Sequence, residues 1–275
     1  MAFPGVDETS AVPGLRKPLP LSLRAPYCVA WRESIMASFH LPAIPDDVSV
    51  IAFGDVHGCY DKLENLLEQI EARLAALPER RHIVVSVGDL VDRGPDSARV
   101  VDRLAAGLPG CELKVLKGNH EAMMLDFIRG GEDAEAWLHN GGLRTLASYG
   151  VDLERTLAEG PTLHGLRRAF LDAIPEHHLA FLAKMPLSYG CGDYFFVHAG
   201  VRPGRPPDRQ DEEDLLWIRN EFLDWDGDFG KRIVHGHTPV DIATFRHNRI
   251  NLDTGACFGG PLTAVLLEGT EATIF

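Results

Sequence analysis

Three short motifs in the first half of the chain carry residue types that bind metal ions. They read Gly-Asp-Val-His-Gly at residues 54–58, Gly-Asp-Leu-Val-Asp-Arg-Gly at 88–94 and Gly-Asn-His-Glu at 118–121. Each follows an apolar run typical of a buried strand, and neighbouring motifs are about 30 residues apart, the length of one strand–helix–strand unit. A single Gly-Asp turn indicates little by itself. Three in series predict a metal site built from successive strand ends.

The side chains in these motifs and in two later ones form a chemically consistent set. Oxygen or imidazole donors follow apolar runs at Asp55, His57, Asp89, Asn119, His198 and one of His235 and His237. Such donors suit Mn²⁺, Fe or Zn²⁺ better than a metal that prefers thiolates. A two-metal site needs a bridging carboxylate and separate ligands for each ion, and it clamps the attacking and leaving oxygens of an in-line displacement. We therefore expect two divalent cations, Mn²⁺ first among them, and hydrolysis of a phosphate ester.

Alternating strand and helix patterns are expected to position these motifs. Apolar runs at 48–53, 82–87 and 113–116 predict strands, and the patterns at 60–77 and after Pro95 predict the helices between them. Such alternation indicates parallel βαβ units, in which ligands lie at the carboxyl ends of the strands. All three motifs fall at those ends.

The second half of the chain is organised differently. Residues 121–190 carry mostly helical patterns, which predicts a helical insertion, or cap, beside the sheet. Strand patterns then return in four apolar runs, at 194–197, 232–234, 250–252 and 262–267. No long helix separates these runs, so we expect them to form a second sheet, mixed or antiparallel. Residues 48–275 would then form one α/β catalytic domain.

Residues 1–47 are rich in proline and poor in periodicity. Proline fixes φ and lacks a backbone donor, so we expect a partly disordered N-terminal extension. The formal net charge of −13 disfavours nucleic acids and anionic membranes as partners. The five cysteines include no Cys-x-x-Cys, no run approaches the ~20 apolar residues of a membrane span, and no secretory signal is visible. These observations favour the cytoplasm, and the oligomeric state has no signal in the sequence.

Taken together, the motifs resemble those of the metal-dependent phosphoprotein phosphatases, a group within the calcineurin-like metallophosphoesterases. The small bacterial and phage serine/threonine phosphatases are the most similar type. The later motifs Val-His-Ala-Gly and Gly-His-Thr match as well, and the resemblance covers about residues 48–275. It implies an α/β fold, a β-sandwich of two mixed sheets flanked by helices, with the helical cap as an insertion.

The resemblance also implies a division of the metal ligands between two ions. Asp55 and His57 would bind the first metal, Asp89 would bridge, and Asn119, His198 and His237 would bind the second. Alignment on Gly-His-Thr selects His237, which leaves His235 as a neighbour or as a support of the ligand set.

The second and third motifs continue past their ligands to groups suited to catalysis. Metal ions lower the pKa of bound water toward ~7, which supplies a nucleophile, but a departing serine or threonine alkoxide still needs a proton. We expect His120 to donate it as a general acid, with Asp92 orienting its ring. Arginine binds phosphate oxygens in bidentate fashion, so Arg93 and Arg219 are the candidates for substrate binding. Asn119 is expected to contact the substrate as well.

Three of the surrounding residues have alternative roles. Arg219 could instead pair with Glu221 or Asp224 at the surface. Glu121 could support the site through hydrogen bonds, or could simply begin a helix. Asp253 follows a strand as the ligands do, and a structural role in a turn is equally compatible with its position.

These features favour a metal-dependent serine/threonine protein phosphatase, with a phosphorylated protein as substrate and phosphotyrosine activity left open. The alternative is a symmetrical diadenosine tetraphosphatase, which resembles this chain at Gly-Asp-Val-His-Gly-Cys-Tyr. Enzymes of that type usually lack the aspartate before arginine and end the third motif in Gly-Asn-His-Asp, so Asp92 and Glu121 favour the protein phosphatases. The sequence Trp-Leu-His-Asn-Gly-Gly at 137–142, which resembles the bacterial phosphatase cap, agrees. A non-catalytic, metal-stabilised scaffold is disfavoured because the bridging carboxylate, the acid and a phosphate-binding arginine are all present.

Overall fold

The structure is a computed structural model that describes residues 41–132, 134–158 and 162–275. Most of the predicted N-terminal extension lies outside the described residues. The strands are β1 Val48–Phe53, β2 Arg81–Ser86, β3 Glu112–Val115, β4 Ser188–Cys191, β5 Tyr194–Val197, β6 Arg232–His235, β7 Thr244–Phe245, β8 Arg249–Asn251, β9 Ala264–Glu268 and β10 Glu271–Ile274.

The helices lie mainly between β1 and β4. They are α1 Tyr60–Ala76, α2 Ser97–Ala105, α3 Asn119–Arg129, α4 Ala134–Trp137, α5 Leu143–Ser148, α6 Leu153–Ala158, α7 Leu163–Ala173, α8 Glu176–Ala183, α9 Glu212–Trp217 and α10 Asn220–Leu223. A π-turn, Leu138–Gly142, joins α4 to α5. In the part of the chain that the structure describes, no helix combines the length and apolar character needed to cross a membrane.

The first sheet has the strand order β10-β9-β1-β2-β3. Strands β1, β2 and β3 run parallel, as the strand–helix alternation predicts, whereas β9 pairs antiparallel with β1 and with β10. The prediction that the strand at 262–267 belongs to the second sheet is therefore wrong. The first four residues of β9 are all buried, so its side-chain pattern indicates a strand inside the protein without indicating which sheet it joins.

The second sheet has the order β4-β5-β6-β8-β7. Strands β5, β6 and β8 are parallel, and the edge strands β4 and β7 pair antiparallel with them. The prediction of a second, mixed sheet is confirmed for the runs at 194–197, 232–234 and 250–252. The insertion is helical from α3 to α8, and its last residues begin β4.

Alternating side chains hold the two sheets face to face. Along β1, Val50 and Ala52 belong to a buried cluster with Phe196 of the second sheet, whereas Ile51 and Phe53 pack among the helices on the other face. Successive side chains of a strand point to opposite faces of the sheet, so β1 contributes to the core between the two sheets and to the core between the first sheet and the helices. Side chains of α9 and α10 cover the outer face of the second sheet. The predicted architecture of two mixed sheets flanked by helices is confirmed.

The ends of the parallel strands of both sheets meet at one edge of this sandwich, and two glycines make the approach close. A Cβ atom on Gly54, after β1, would lie 2.2 Å from the carbonyl oxygen of Leu252, after β8. A Cβ on Gly236, after β6, would lie 1.9 Å from Asp55 Oδ1. Only glycine leaves room for such contacts between backbone and neighbour. The segments that carry the motifs are thus brought together.

Candidate active site

The six side chains predicted as metal ligands lie together at this edge. Asp55, His57, Asp89, Asn119, His198 and His237 are each less than a tenth exposed. Segments after β1, β2 and β3 supply the first four, and segments after β5 and β6 of the other sheet supply the two remaining histidines. The site is therefore assembled from both sheets, between the ends of their parallel strands.

One half of the cluster is formed by His57 and Asp89. The Nε2 atom of His57 lies 3.4 Å from Asp89 Oδ2, and its Nδ1 lies 2.8 Å from the carbonyl oxygen of Val91. Donation of the Nδ1 proton to that carbonyl leaves the Nε2 lone pair facing the carboxylate, which is the arrangement of a metal-binding histidine. A guanidinium nitrogen of Arg93, Nη1, lies 2.6 Å from the same Nε2.

The other half is formed by Asn119, His198 and His237. Asn119 Oδ1 lies 2.8 Å from His198 Nε2 and 2.9 Å from His237 Nδ1, and these two nitrogens are 3.1 Å apart. His198 Nδ1 faces the carbonyl of Val87 at 3.0 Å, which leaves Nε2 as the acceptor. Donors about 3 Å apart are spaced like adjacent ligands of one cation with ~2 Å bonds. Asp89 Oδ1, 3.4 Å from His198 Nε2, connects this half to the first.

The structure separates the two histidines of the last motif. The His237 side chain lies in the cluster, as the alignment on Gly-His-Thr predicts. The His235 ring instead packs against Phe222, with ring centroids 4.8 Å apart, and its Nδ1 faces the carbonyl of Gly236 at 3.0 Å. His235 is a buried neighbour of the cluster and does not contribute a donor atom to it.

The backbone of the site is strained at five positions that are not glycine. His57, Asp89, Asp92, Arg93 and His237 have φ between 47° and 73°, and these five are the non-glycine residues with positive φ among those that the structure describes. Left-handed conformations are uncommon for such residues and persist where surrounding contacts enforce them. All five belong to the motif turns, so surrounding contacts must hold these turns in strained conformations that fix the directions of the five side chains.

The electrostatics of the cluster fit a cation. Burial raises the pKa of Asp55 well above its usual value, and the charges of Asp253 and Asp89 add to the shift. Burial lowers the pKa of His57 to about 3 and that of His237 to about 2, so both rings are neutral, as metal ligands must be. Asp55 Oδ1 is buried with no hydrogen-bond partner among the described residues. Crowded carboxylates, neutral imidazoles and an amide oxygen form a donor set suited to divalent metal ions.

The proposed acid and its orienting group are in direct contact. His120 Nδ1 lies 2.6 Å from Asp92 Oδ2, and both side chains are almost fully buried. Burial alone would lower the pKa of His120, but the carboxylates of Asp89 and Asp92 outweigh it and raise the pKa above its usual value. The His120 Nε2 atom lies 3.9 Å from Asp89 Oδ2, so the free edge of the ring faces the ligand cluster.

The two arginines predicted to bind phosphate lie on different sides of the cluster. Arg93 lies beside His57, and its Cζ is 5.5 Å from the centroid of the Phe258 ring. Arg219 donates from Nη1 to Thr238 Oγ1 at 2.9 Å and to the carbonyl oxygen of His237 at 3.4 Å. The alternative surface pairing of Arg219 with Glu221 or Asp224 is absent from the ion pairs of the described residues.

Glu121 fulfils both roles that the sequence left open. It lies in the first turn of α3, where its carboxylate accepts from Gly118 N at 2.8 Å. It also accepts from the backbone nitrogens of Asp89, Leu90 and Val91 at 3.0, 2.7 and 3.2 Å. Burial raises the pKa of Glu121 to about 7, with the charge of Asp89 contributing. Glu121 thus holds the loop that carries Asp89.

Three further residues lie at the site: Asp253, for which the sequence left a ligand-like role or a structural role in a turn open, and Trp137 and Thr145, to which it assigned no role. Asp253 accepts from Gly255 N at 3.0 Å within its own turn and lies close enough to Asp55 to raise its pKa. Trp137 and Thr145, both from the insertion, donate to the Asp92 carboxylate. The motif Trp-Leu-His-Asn-Gly-Gly was the available signal for Trp137, whereas an isolated threonine in a helical pattern offers none.

Comparison with known proteins gives a consistent result. The family model for calcineurin-like phosphoesterases matches residues 48–270. A bis(5'-nucleosyl)-tetraphosphatase PrpE [asymmetrical] of Bacillus cereus is 27% identical over 233 residues, covering 77% of this chain and 87% of the relative. Serine/threonine-protein phosphatase 1 of Salmonella typhimurium is 28% identical over 220 residues, covering 78% and 90%. A crystal structure described as a candidate diadenosine tetraphosphatase is 25% identical, with a TM-score of 0.56 over 84% of this chain and 98% of that one.

Proposed function

Because the chain belongs to the calcineurin-like phosphoesterase family, we propose that it is a metal-dependent serine/threonine protein phosphatase. Phosphoester hydrolysis follows from the family, and the choice of phosphoprotein substrate is the proposal. The observation that carries it is the buried His120–Asp92 pair, with Nδ1 and Oδ2 2.6 Å apart, beside the ligand cluster. In this pair Asp92 stabilises the protonated form of His120, whose Nε2 faces the ligand cluster and could protonate a leaving group bound there.

We assign the metal ligands as the sequence predicts. Asp55 and His57 would hold one divalent ion, Asn119, His198 and His237 the other, and Asp89 would bridge them. Mn²⁺ is the proposed metal, and Fe and Zn²⁺ suit the same donors. When bound, two such ions supply an activated water and neutralise the charge that develops on the phosphoryl oxygens.

The chain's own residues would perform the remaining steps. Arg93 and Arg219 would bind the phosphate oxygens, and Asn119 would contact the substrate beside them. In this assignment His120 gives its Nε2 proton to the departing serine or threonine oxygen. Asp92, hydrogen-bonded at Nδ1, keeps the ring oriented and stabilises its charged form. Phosphoryl transfer depends mainly on positioning and electrostatics, so rigid placement of these groups is the larger contribution.

The leaving group distinguishes a phosphoprotein from a dinucleotide. A serine or threonine alkoxide is strongly basic and departs poorly unless it is protonated. The phosphate that leaves when an anhydride is cleaved is weakly basic and needs no such help. A buried proton donor such as His120, held by Asp92, would therefore accelerate hydrolysis of a phosphomonoester more than cleavage of a polyphosphate chain.

Dinucleotide hydrolysis is the second candidate, and exposed aromatic side chains favour it. Trp217 is 39% exposed with its ring centroid 6.3 Å from that of His237, and Phe258 is 68% exposed beside Arg93. Aromatic rings at the rim of a site can stack on nucleobases. The tetraphosphatase relative is of the asymmetrical type, whereas the alternative that the sequence suggests is the symmetrical one.

A substrate panel tests the proposal. We expect the Mn²⁺-loaded protein to release phosphate from a phosphoserine peptide with a kcat/KM well above that for diadenosine tetraphosphate. Asp89→Asn serves as the control that removes the bridging carboxylate and should abolish both activities. A large preference for the dinucleotide would overturn the proposal, and chromatography would then separate ATP plus AMP from two ADP. Hydrolysis of neither substrate would support the non-catalytic scaffold.

A further inference from the structure

The insertion contacts the proposed acid pair directly. We infer that Trp137 and Thr145 are positioning residues that fix the Asp92 carboxylate, and through it the His120 ring, for proton transfer to the leaving group. This inference rests on the proposed function, because only a reaction that uses His120 as an acid depends on the orientation of that ring.

The Asp92 carboxylate accepts hydrogen bonds from three different parts of the chain. Its Oδ2 accepts from His120 Nδ1 at 2.6 Å and from Trp137 Nε1 at 2.9 Å, and its Oδ1 accepts from Thr145 Oγ1 at 2.6 Å. Asp92 and Thr145 have no exposed surface, so water cannot replace a lost donor without rearrangement. With both oxygens bound, the carboxylate cannot rotate away from His120.

Thr145 also holds the backbone of Asp92. The Asp92 N–H lies 2.9 Å from Thr145 Oγ1 and 3.0 Å from Ser97 Oγ, and the two hydroxyl oxygens are 3.1 Å apart. Asp92 has a φ of 73°, which is unfavourable for a residue with a side chain. One threonine thus contacts both the strained peptide and the carboxylate that projects from it.

Packing within the insertion fixes the orientation of the Trp137 indole. Its ring is fully buried and packs against Phe127 and Phe170, with centroid separations of 4.7 and 6.0 Å. The π-turn that follows lies against the next residue of the motif, since a Cβ on Gly141 would be 2.5 Å from Arg93 N. The insertion therefore supports both Asp92 and Arg93, and its packing is coupled to the site.

Two variants remove the donors while keeping most of the side-chain volume. Trp137→Phe deletes the Nε1–H, and Thr145→Val deletes the hydroxyl. Neither residue contacts the reacting atoms, so we expect KM to be little changed and kcat on a phosphoserine peptide to fall about tenfold in each variant, the scale of one hydrogen bond to a charged group. With p-nitrophenyl phosphate, whose leaving group hardly needs protonation, kcat should stay within about twofold to threefold.

Three comparisons separate positioning from general damage. Thr145→Ser keeps the hydroxyl and should restore most of kcat. Leu146→Val trims a buried side chain of the same helix without touching a donor, and should lower stability while leaving the ratio of the two activities unchanged. In the metal-free protein labelled with ¹⁵N-histidine, the His120 Nδ1–H resonance should shift in Trp137→Phe and in Thr145→Val but not in Leu146→Val.

The outcomes distinguish this inference from the proposed function. Equal losses on both substrates, or no loss on either, together with an unmoved His120 resonance, would overturn the inference while leaving the phosphatase proposal standing. A wild-type protein inactive on the phosphoserine peptide would overturn the proposed function, and the kinetic part of the inference with it. The predicted loss on the peptide alone, rescued by Thr145→Ser, supports both.

Discussion

Gly118 offers a direct test of whether the placement of Asp89 controls the site. Its backbone has φ −93° and ψ 174°, an extended conformation that any residue adopts, so alanine would introduce no backbone strain. A Cβ atom there would lie 2.1 Å from Asp89 Oδ1 and 2.5 Å from Asp89 N. Gly118→Ala therefore perturbs the candidate bridging carboxylate by steric contact alone.

The size of the effect follows from the crowding around Asp89. Ordinary contact begins at 3.4 Å, so the Cβ–Oδ1 separation must grow by about 1.3 Å. The same Oδ1 accepts from His120 N at 3.1 Å and lies 3.4 Å from His198 Nε2, which transmits any movement to both histidines. A misplacement of about 1 Å can cost about 100-fold in rate. Overpacking in a buried site costs about 1–3 kcal/mol, which lowers Tm by roughly 2–4 °C per kcal/mol in a chain of this size class.

The assay combines kinetics, metal binding and unfolding. We expect Gly118→Ala to lower kcat on a phosphoserine peptide about 100-fold and to weaken Mn²⁺ binding measured by calorimetry, while circular dichroism shows a folded protein. Gly190→Ala is the matched control, because a Cβ on Gly190 meets no atom within 4 Å, and it should behave like the wild type. If Gly118→Ala bound Mn²⁺ as tightly as the wild type and kept kcat within about threefold, the activity would not depend on the exact placement of Asp89, contrary to this prediction.

Three other predictions use different properties of the site. Glu121→Ala strands four buried backbone N–H groups, so urea unfolding should show a loss of about 3 kcal/mol or more, against about 0.5 kcal/mol or less for the exposed Glu135→Ala. Burial lowers the pKa of His235 to about 3, below the unfolded value of ~6.5, so its contribution destabilises the fold as pH falls from about 6.5 toward 3. His235→Gln should make that slope shallower by about 1.4 kcal/mol per pH unit, and an unchanged slope would contradict the buried neutral assignment. Chelation should abolish hydrolysis and lower Tm, and Mn²⁺ at about 100 times its Kd should restore activity with about 2.7 kcal/mol of stabilisation in the wild type but not in Asp89→Asn.

Local patterns were enough to predict the parts of the molecule that local interactions determine. The apolar run at 48–53 is β1 residue for residue, and the helix predicted at 60–77 is observed as Tyr60–Ala76. Parallel strands fed by crossover helices must end at a common edge. The convergence of Asp55, Asp89 and Asn119 therefore follows from the alternation of strand and helix.

The remaining features depend on which distant segments meet. The apolar pattern of β9 predicts a buried strand. Its antiparallel pairing with β1 is a contact between segments distant in the chain, which that pattern does not encode. Trp137 and Thr145 bind a carboxylate 45 and 53 residues away in the chain. Neither contact has a periodic or compositional signature, because each depends on the path of the insertion between α3 and α5. The six side chains predicted as ligands therefore lie together as the motifs indicate, whereas the contacts of Trp137 and Thr145 with Asp92 could not be predicted from the sequence.

The cost of the Asp92–Arg93 turn is itself an argument about chemistry. Both residues adopt positive φ, and such conformations cost about 1–3 kcal/mol each, which the surrounding contacts must offset. Asp92 is in addition a buried carboxylate whose pKa is raised by burial despite its hydrogen bonds to His120, Thr145 and Trp137. In the proposed function His120 protonates the leaving oxygen, and a weakly basic leaving group would gain little from that proton. An alkyl phosphomonoester, the substrate class proposed above, would gain from that proton, so under the proposed function the destabilising features of the turn have a catalytic use.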